Sequence, residues 1–304
     1  MSKNNQKNYD PNYFLASLGN GGLVVTFFMY LMFMIKHPET PMPTFEDILP
    51  VITGTNLVAK ISTILVLLGI AYFVFNNIYY LIWNIKKYMN FRLSPEFTKL
   101  KSSNAEVTLM SIPLALAMNV NALIVAAVVF VPNLWSYVEY MFPVAIVLFS
   151  LIGIYGIKIF AEYFSRIIVE GDFDFDKNNN LSQMIAVFSF IMIGAGFSGP
   201  AAMSRIKVVS SISLLLTIFF TSIALAILFI KLVIGFKSIL EKGISKEGAP
   251  SFFVIIPILT IFGIILVRVT SGVFHTFLHS SPNPIIMFLM LGTLVSIQII
   301  VAFI

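Results

Sequence analysis

Cysteine is absent from this chain, and charged residues are scarce. With no Cys among 304 residues, disulfides, thiolate metal ligands and cysteine nucleophiles are excluded. Charged residues make up only 11% of the sequence, whereas soluble domains carry about 25%. The sequence also has no phosphate-binding glycine loop, dinucleotide-binding pattern or nucleophile elbow. The common classes of soluble enzyme therefore do not account for it.

Apolar residues dominate the chain instead. They form 58% of the sequence, and the mean hydropathy is +0.94. A membrane-spanning helix needs roughly 20 apolar residues. Eight runs reach that length, near 13–35, 57–84, 106–131, 138–164, 182–204, 207–234, 251–273 and 283–304. This pattern predicts an all-α polytopic membrane protein with a single transmembrane domain over 1–304.

The basic residues are distributed unequally between the two sides of the predicted helices. Twelve fall on the side of the N-terminus: Lys3, Lys7, Lys86, Lys87, Arg92, Lys99, Lys101, Arg166, Lys177, Lys237, Lys242 and Lys246. Five fall on the other side: Lys36, Lys60, Arg205, Lys207 and Arg268. Because positive charge is retained in the cytoplasm, we predict a protein of the cell (plasma or inner) membrane with its N-terminus inside. Residues 1–12 then form a cytoplasmic tail, 86–105 a basic cytoplasmic loop and 165–181 an acidic cytoplasmic loop. The net charge of +5 is attributed to this topology and not to nucleic-acid binding.

Glycine and proline are concentrated in the odd-numbered spans, which hold eleven of them against six in the even-numbered spans. A broken helix frees backbone groups, and these cost several kcal/mol each in hydrocarbon unless protein or water satisfies them. We therefore predict helical hairpins in which broken odd helices form an inner ring around a pore and even helices lie outside. The candidate pore-lining and anion-binding residues are Asn20, Gly21, Gly22, Asn119, Asn121, Gly194, Gly196 and Pro257. The alternative is that the glycines serve only close helix packing.

The glycine-rich first span reads "SLGNGGLVVTFFMYLMF" at residues 17–33. Together with the alternating helices and the predicted cytoplasmic N-terminus, it resembles the tellurite-resistance/dicarboxylate transporter family, which includes TehA and the slow anion channels of guard cells. The resemblance implies a homotrimer, passive anion movement and a phenylalanine that blocks the pore. That family has ten helices in five hairpins, so the eight spans found here leave its last hairpin unmatched. Phe27, Phe197 and Phe262 lie on odd-numbered spans and are the gate candidates.

None of the fourteen acidic residues falls at mid-depth in a predicted span. Proton-driven pumps usually carry an intramembrane carboxylate, and cation pores often carry acidic rings. The distribution of acids therefore favours passive anion conduction, and it also suits a channel for neutral solutes. Arg268 lies about one turn from the outer end of the seventh span and is a further anion-binding candidate. The alternative for Arg268 is snorkelling to the outer interface.

Two rival functions remain open from the sequence. His275 and His279 are four residues apart, a spacing that can bind a metal on one helical face, which leaves an intramembrane metal-dependent enzyme as an alternative. A non-transporting membrane subunit is the other. The run of Asp172, Asp174 and Asp176 begins like a calcium loop but lacks its glycine and its final glutamate. We predict small anions and the lipid bilayer as partners, and neither enzyme activity nor a cofactor nor a metal.

The charge distribution makes a testable prediction about topology. A single cysteine introduced at Pro95 should resist a membrane-impermeant thiol reagent added to intact cells, because the segment 86–105 is expected inside. The chain has no native Cys to give a background. The same variant should react fully once the cells are permeabilised. Reaction in intact cells would overturn the predicted orientation.

Overall fold

The computed structural model describes residues 9–171, 184–243 and 253–303, apart from the side chains of residues 236, 238 and 242. Throughout these ranges the chain is helical between its turns and forms no strand. Eight of its helices are long and apolar enough to cross a membrane. The protein is therefore an all-α polytopic membrane protein, as the composition predicts.

The helices coincide closely with the predicted spans. The eight long helices are α1 (Phe14–Met34), α3 (Leu57–Phe91), α5 (Ser111–Phe130), α6 (Val138–Glu170), α7 (Ile185–Met203), α8 (Lys207–Lys242), α9 (Ile255–Val273) and α10 (Pro284–Phe303). Two short helices, α2 (Phe45–Thr53) and α4 (Pro95–Lys101), lie between them, with a 3₁₀ helix at Asn104–Met110 and a π-helical turn at Phe274–Leu278. Counted as spans, α1, α5, α7 and α9 are odd-numbered, and α3, α6, α8 and α10 are even-numbered.

Three of the four even-numbered helices are longer than the sequence predicted. Helices α3, α6 and α8 have 35, 33 and 36 residues, or about 50 Å each at 1.5 Å per residue, against a hydrocarbon core of about 30 Å. The loops predicted at 86–105 and 165–181 therefore begin later than expected. Apolar runs mark only the part of a helix inside the membrane, and the polar continuation stays helical until a helix-stopping residue occurs.

A residue that stops the helix is identifiable at the end of α3, α6 and α8. Helix α3 ends shortly before Pro95, the first residue of α4, and the residue before a proline is disfavoured in helical conformation. Helices α6 and α8 are followed by Gly171 and Gly243, whose φ angles are 66° and 73°. Only glycine adopts such angles without steric cost, which makes it the usual residue just past a helix end.

The expectation of broken odd-numbered helices is wrong. Helix α1 is continuous through Gly19–Gly22, and α7 is continuous through Gly194–Gly199. Pro257 lies in the first turn of α9, where its missing N–H leaves no intrahelical bond unmade. Glycine costs a helix about 1 kcal/mol relative to alanine. An unpaired backbone group in hydrocarbon costs several, so the helix persists.

Within each hairpin, burial follows the predicted order, with the odd span inside the even one. In the most apolar stretch of α7, 89% of the residues are buried. In the corresponding stretch of α8, the next span, 33% are buried. The last two spans show the same order, with 28% for α9 and 0% for α10. Within each successive hairpin the odd span is the more buried of the two. Their arrangement as a ring around a pore stays a prediction.

The chain divides into two compact units. Unit one takes Met1–Arg92 and Ala115–Val144, and unit two takes Leu93–Leu114 and Ala145–Ile304. Helices α5 and α6 each pass from one unit to the other along the chain. The sequence predicted a single domain over 1–304, and this division leaves that prediction open.

Unit one is built on the pairing of α1 with α3. Their apolar contact includes Val24, Phe28 and Leu31 from α1 with Val66 and Ile70 from α3, all buried. Helix α2 adds the buried Ile48 to this core, with Val51 and Ile52 partly buried against it, and leaves Leu49 exposed. Its N-terminus is closed by a reciprocal capping box between Thr44 and Asp47.

Unit two is organised around α7. Helices α8 and α9 pack against α7, the 3₁₀ helix at Asn104–Met110 also contacts it, and α10 packs on α9. Sixteen of the nineteen residues of α7 are buried, which is the expected position for a helix that is apolar all round. Helix α10 is joined to α9 by Gln298, whose side-chain amide donates to the Ile256 carbonyl at 2.9 Å and to Thr260 Oγ1 at 2.7 Å.

Two glycines of unit two give a matched test of this packing. A Cβ on Gly272 would overlap the Ala201 carbonyl and lie 3.2 Å from the Ala202 Cα, both in the backbone of α7. Nothing lies within 4 Å of a Cβ on Gly292. Gly272→Ala should therefore destabilise the protein by about 1–3 kcal/mol, whereas Gly292→Ala should be neutral or stabilising by up to about 1 kcal/mol. Thermal unfolding in detergent measures both, and equal shifts would contradict the close approach of α9 to α7.

Candidate functional site

Arg268 of α9 turns into the helix packing of unit two. Its Nη1 group lies 3.3 Å from the carbonyl oxygen of Ala195 and 3.4 Å from Oγ of Ser198, both on α7. The alternative of snorkelling to the outer interface stays a prediction. Side chains on a helix lean toward its N-terminus, and this lean directs Arg268 to the middle of α7. Both of its acceptors are neutral, and within the described ranges it forms no ion pair.

Gly194 lies where α7, α8 and α9 meet. A Cβ there would stand 2.9 Å from Oγ1 of Thr221 on α8 and 3.6 Å from Cδ1 of Ile265 on α9. The carbonyl oxygen of Thr217 would also be 3.6 Å away. The glycine thus lets two helices approach the same point of α7, and Ile265 precedes Arg268 by three residues on the same face of α9.

Hydroxyl groups line the side of α8 that faces α7. They belong to Ser210, Ser213, Thr217 and Thr221, spaced three or four residues apart and all buried. Ser210 donates to the Ala201 carbonyl at 2.8 Å, and Thr217 donates to the Ser213 carbonyl at 2.8 Å. The hydroxyls of Ser213 and Thr221 have no hydrogen-bond partner among the described residues.

A third hydroxyl without a described partner belongs to Ser189 of α7. Buried polar groups in proteins are almost always hydrogen-bonded, so three such hydroxyls in one unit are unusual. None of the three is among the site candidates predicted from the sequence. The three- and four-residue spacing of serine and threonine along the sixth span was the available signal.

Gly196 and Phe197 lie in an aromatic contact. A Cβ on Gly196 would overlap the ring of Phe149. The Phe197 ring is fully buried, with its centroid 5.5 Å from that of Phe220 and 5.8 Å from that of Phe149. Gly196 therefore serves close helix packing, the predicted alternative to pore lining. Gating by Phe197 stays a prediction.

Asn119 belongs to a buried polar network of unit one. Its Nδ2 donates to Oδ1 of Asn77 at 2.5 Å, and Nδ2 of Asn77 donates to the Ser17 carbonyl at 2.7 Å. The Ser17 hydroxyl in turn donates to the Asn77 carbonyl at 2.8 Å. These bonds join α1, α3 and α5 and pair most of the polar groups of the three side chains. Asn121 is half-buried in α5, and its role at a pathway stays a prediction.

The glycines of the opening stretch differ from one another. A Cβ on Gly21 would lie 2.7 Å from Met118 Cγ and 2.9 Å from Asn77 Nδ2, so Gly21 is in a tight helix contact. Nothing lies within 4 Å of a Cβ on Gly22. The Asn20 amide donates to the Ala16 carbonyl of its own helix at 2.8 Å. Packing therefore explains Gly21, while the pathway roles of Asn20 and Gly22 stay predictions.

The other candidates on odd-numbered spans are less constrained. The Phe27 ring lies over Gly69, with its centroid 5.4 Å from that of Phe73. Phe262 and Pro257 are half-buried in α9. No contact that would define a gate or an anion site is described for either, and both roles stay predictions.

A buried ion-pair network is a feature that the sequence analysis missed. Glu106, in the 3₁₀ helix before α5, is 2% exposed, and its carboxylate is 3.0 Å from Arg166 Nε and 3.6 Å from Lys101 Nζ. Lys101 also reaches Glu162 at 2.7 Å, and the hydrogen bond with that carboxylate raises the pKa of Lys101. The network joins the start of α5 to the end of α6, on the side predicted to be cytoplasmic.

The geometry assumed for the metal alternative is not formed. Helix α9 passes into the π-helical turn, and His279 follows that turn with a left-handed φ of 48°. His275 and His279 are therefore not on one face of a regular α-helix, and both are exposed. The described residues contain no group of three or more potential metal-ligating His, Asp or Glu side chains. The run at 172–176 lies outside the described residues.

The chain matches no family model, no curated protein and no solved structure. The resemblance to the tellurite-resistance/dicarboxylate transporter family accordingly remains an expectation from the sequence. The fold and the described contacts define the class only as a polytopic helical membrane protein with an unpaired arginine inside unit two.

The ion-pair network makes a prediction with an internal control. Glu106→Gln should destabilise the protein by about 3 kcal/mol, because it removes the buried carboxylate that pairs with the half-buried Arg166 and with Lys101. Glu162→Gln removes the same charge from an exposed pair and should cost about 0–1 kcal/mol. Thermal unfolding of both variants in detergent compares them. A Glu162 effect as large as that of Glu106 would contradict the assignment of Glu106 as the centre of the network.

Proposed function

We propose that the protein moves small anions passively across a membrane. Eight apolar helices are compatible with a channel or transporter. The observation that supports anions as the transported ions is the environment of Arg268. This charged side chain lies in a membrane-spanning helix, and its described partners are two neutral oxygens.

The proposal follows from the cost of placing a charge in that position. Arginine stays protonated in proteins, and a charged side chain within a spanning helix is expensive and usually functional. The Ala195 carbonyl and the Ser198 hydroxyl offset part of the cost of desolvating the guanidinium, but they do not neutralise its charge. The junction of α7, α8 and α9 therefore carries a net positive charge, which attracts anions and repels cations.

The positions of the acidic residues are consistent with passive anion movement. Within the described ranges, every carboxylate on a spanning helix lies near a helix end: Glu139, Glu162, Glu170 and Glu241. Glu106 precedes α5 and is paired with Arg166 and Lys101. No described carboxylate thus stands at mid-span to neutralise Arg268 or to relay protons, which supports passive movement.

The finer features remain part of the proposal. By the resemblance, the protein is a homotrimer, and by its apolar spans it lies in the plasma or inner membrane. By the charge distribution, its N-terminus is cytoplasmic. The metal-dependent enzyme has no supporting geometry at His275 and His279. A subunit that only packs against a partner does not explain why Arg268 has no acidic partner in the part of the chain that the structure describes.

Flux measurements in liposomes test the proposal. The purified protein should pass nitrate, formate or chloride and exclude potassium. Arg268→Gln should reduce anion flux at least tenfold, since each 1.4 kcal/mol of lost stabilisation is a factor of ten. Arg205→Gln is the matched control, because it makes the same change at an exposed arginine between α7 and α8.

Two outcomes would contradict the proposal. Equal anion flux through the Arg268→Gln and Arg205→Gln variants would remove the assigned role of Arg268. Passage of potassium as fast as nitrate by the unaltered protein would remove anion selectivity altogether.

A further inference from the structure

The polar groups of unit two converge on one turn of α7. Two contacts set the antiparallel register of α7 and α8: the Ser210 hydroxyl bonds the Ala201 carbonyl, and the Thr217 carbonyl faces Gly194. This register places Ser213 level with Ser198, the residue that Arg268 contacts. Residues 194–198 of α7 span only about 6 Å along the helix axis.

Side chains of α8 and of α9 both contact this turn of α7. Thr221 Oγ1 of α8 and Ile265 Cδ1 of α9 stand 2.9 and 3.6 Å from a single point, the Cβ position of Gly194. Arg268 follows Ile265 on the same face of α9 by about one turn. The Thr221 hydroxyl therefore lies against α7 at Gly194, next to Ala195 and Ser198, which Arg268 contacts, and the register places Ser213 at the level of Ser198.

These groups retain hydrogen-bond donors. Arginine has five N–H donors, and the described hydrogen bonds of Arg268 use only its Nη1 nitrogen. The hydroxyls of Ser213 and Thr221, at 0% and 8% exposure, donate to no described group. The site thus combines one positive charge with an excess of donors, the complement of an anion that bears several acceptor oxygens.

We propose that this junction is a binding site for a planar monovalent oxyanion, held by the guanidinium of Arg268 and the hydroxyls of Ser213 and Thr221. The proposal rests on the anion-moving function proposed above and adds a ligand class and two ligand-binding residues. The planar guanidinium matches two oxygens of one anion bidentately. A single cation neutralises one negative charge, so a dianion would leave a net charge buried in an apolar surrounding.

Binding to the full-length protein in detergent is the direct test. Nitrate and formate serve as planar monovalent probes, with chloride as a spherical monovalent ion and sulfate as a dianion, all at matched ionic strength. Nitrate and formate should raise the unfolding temperature saturably, chloride less so, and sulfate not at all. The dissociation constants are then measured by titration calorimetry.

Variants identify the site. The double change Ser213→Ala and Thr221→Val removes two hydroxyls with little change in volume and should weaken nitrate binding at least about tenfold, since a hydrogen bond to a charged group is lost at each position. Thr63→Val is the matched control. Its hydroxyl is also fully buried without a described partner, but it lies on α3 in unit one, and its loss should leave nitrate binding unchanged.

Arg268→Lys should lower nitrate affinity more than chloride affinity, because it keeps the positive charge but loses the planar guanidinium that binds two oxygens at once.

The results distinguish failure of the binding-site proposal from failure of the transport proposal. Nitrate binding that is unchanged in the double variant, or sulfate binding as tight as that of nitrate, would overturn the site even if anion flux depends on Arg268. Nitrate binding that the double variant weakens would support the site even if liposomes show no flux, in which case the transport proposal would fail alone.

Discussion

The proposed anion movement depends on the placement of one guanidinium against the middle of α7. A carbonyl and a hydroxyl accept hydrogen bonds from Arg268, but they leave its charge unbalanced. In an environment of low dielectric constant, such a charge has a strong effect on nearby ions. The surrounding features, from Gly194 to the hydroxyls of α8, have functional meaning mainly through their distance from this group.

The packing of α7 makes that placement possible. Because α7 is apolar and buried on nearly all sides, neighbouring helices come close to its backbone at its small residues. Gly194 admits Thr221 of α8, and Gly272 of α9 rests on the carbonyl of Ala201. Close contact of this kind is the usual role of small residues in membrane helices. It holds Arg268 at the level of Ala195 and Ser198. Packing and anion binding are therefore two consequences of the same small residues.

The number, type and order of the spans were predictable, because the length and uniform polarity of an apolar run report membrane crossing directly. The burial of the odd spans was expected from broken helices, whereas the structure attributes it to close packing at their small residues. The bends expected at Gly19–Gly22 did not occur, since the requirement for backbone hydrogen bonding in hydrocarbon outweighs glycine's low helix propensity. Composition alone does not show which of these opposing effects prevails.

The details of the candidate site were less predictable for a different reason. Arg268 was identified as a candidate, but its direction depends on neighbours about 70 residues away in sequence. The pairing of Glu106 with Arg166 joins residues 60 apart, and neither residue has a local pattern that names its partner. The left-handed conformation of His279 removed an arrangement that the four-residue spacing had assumed. Local sequence specifies helices well, whereas side-chain contacts between helices depend on register.

The reversal potential of the unaltered protein in a planar bilayer under a potassium nitrate gradient tests the central claim most directly. If the positive charge of Arg268 governs permeation, the current should reverse near the equilibrium potential of nitrate. Reversal near the equilibrium potential of potassium, or a reversal potential of zero, would contradict the account.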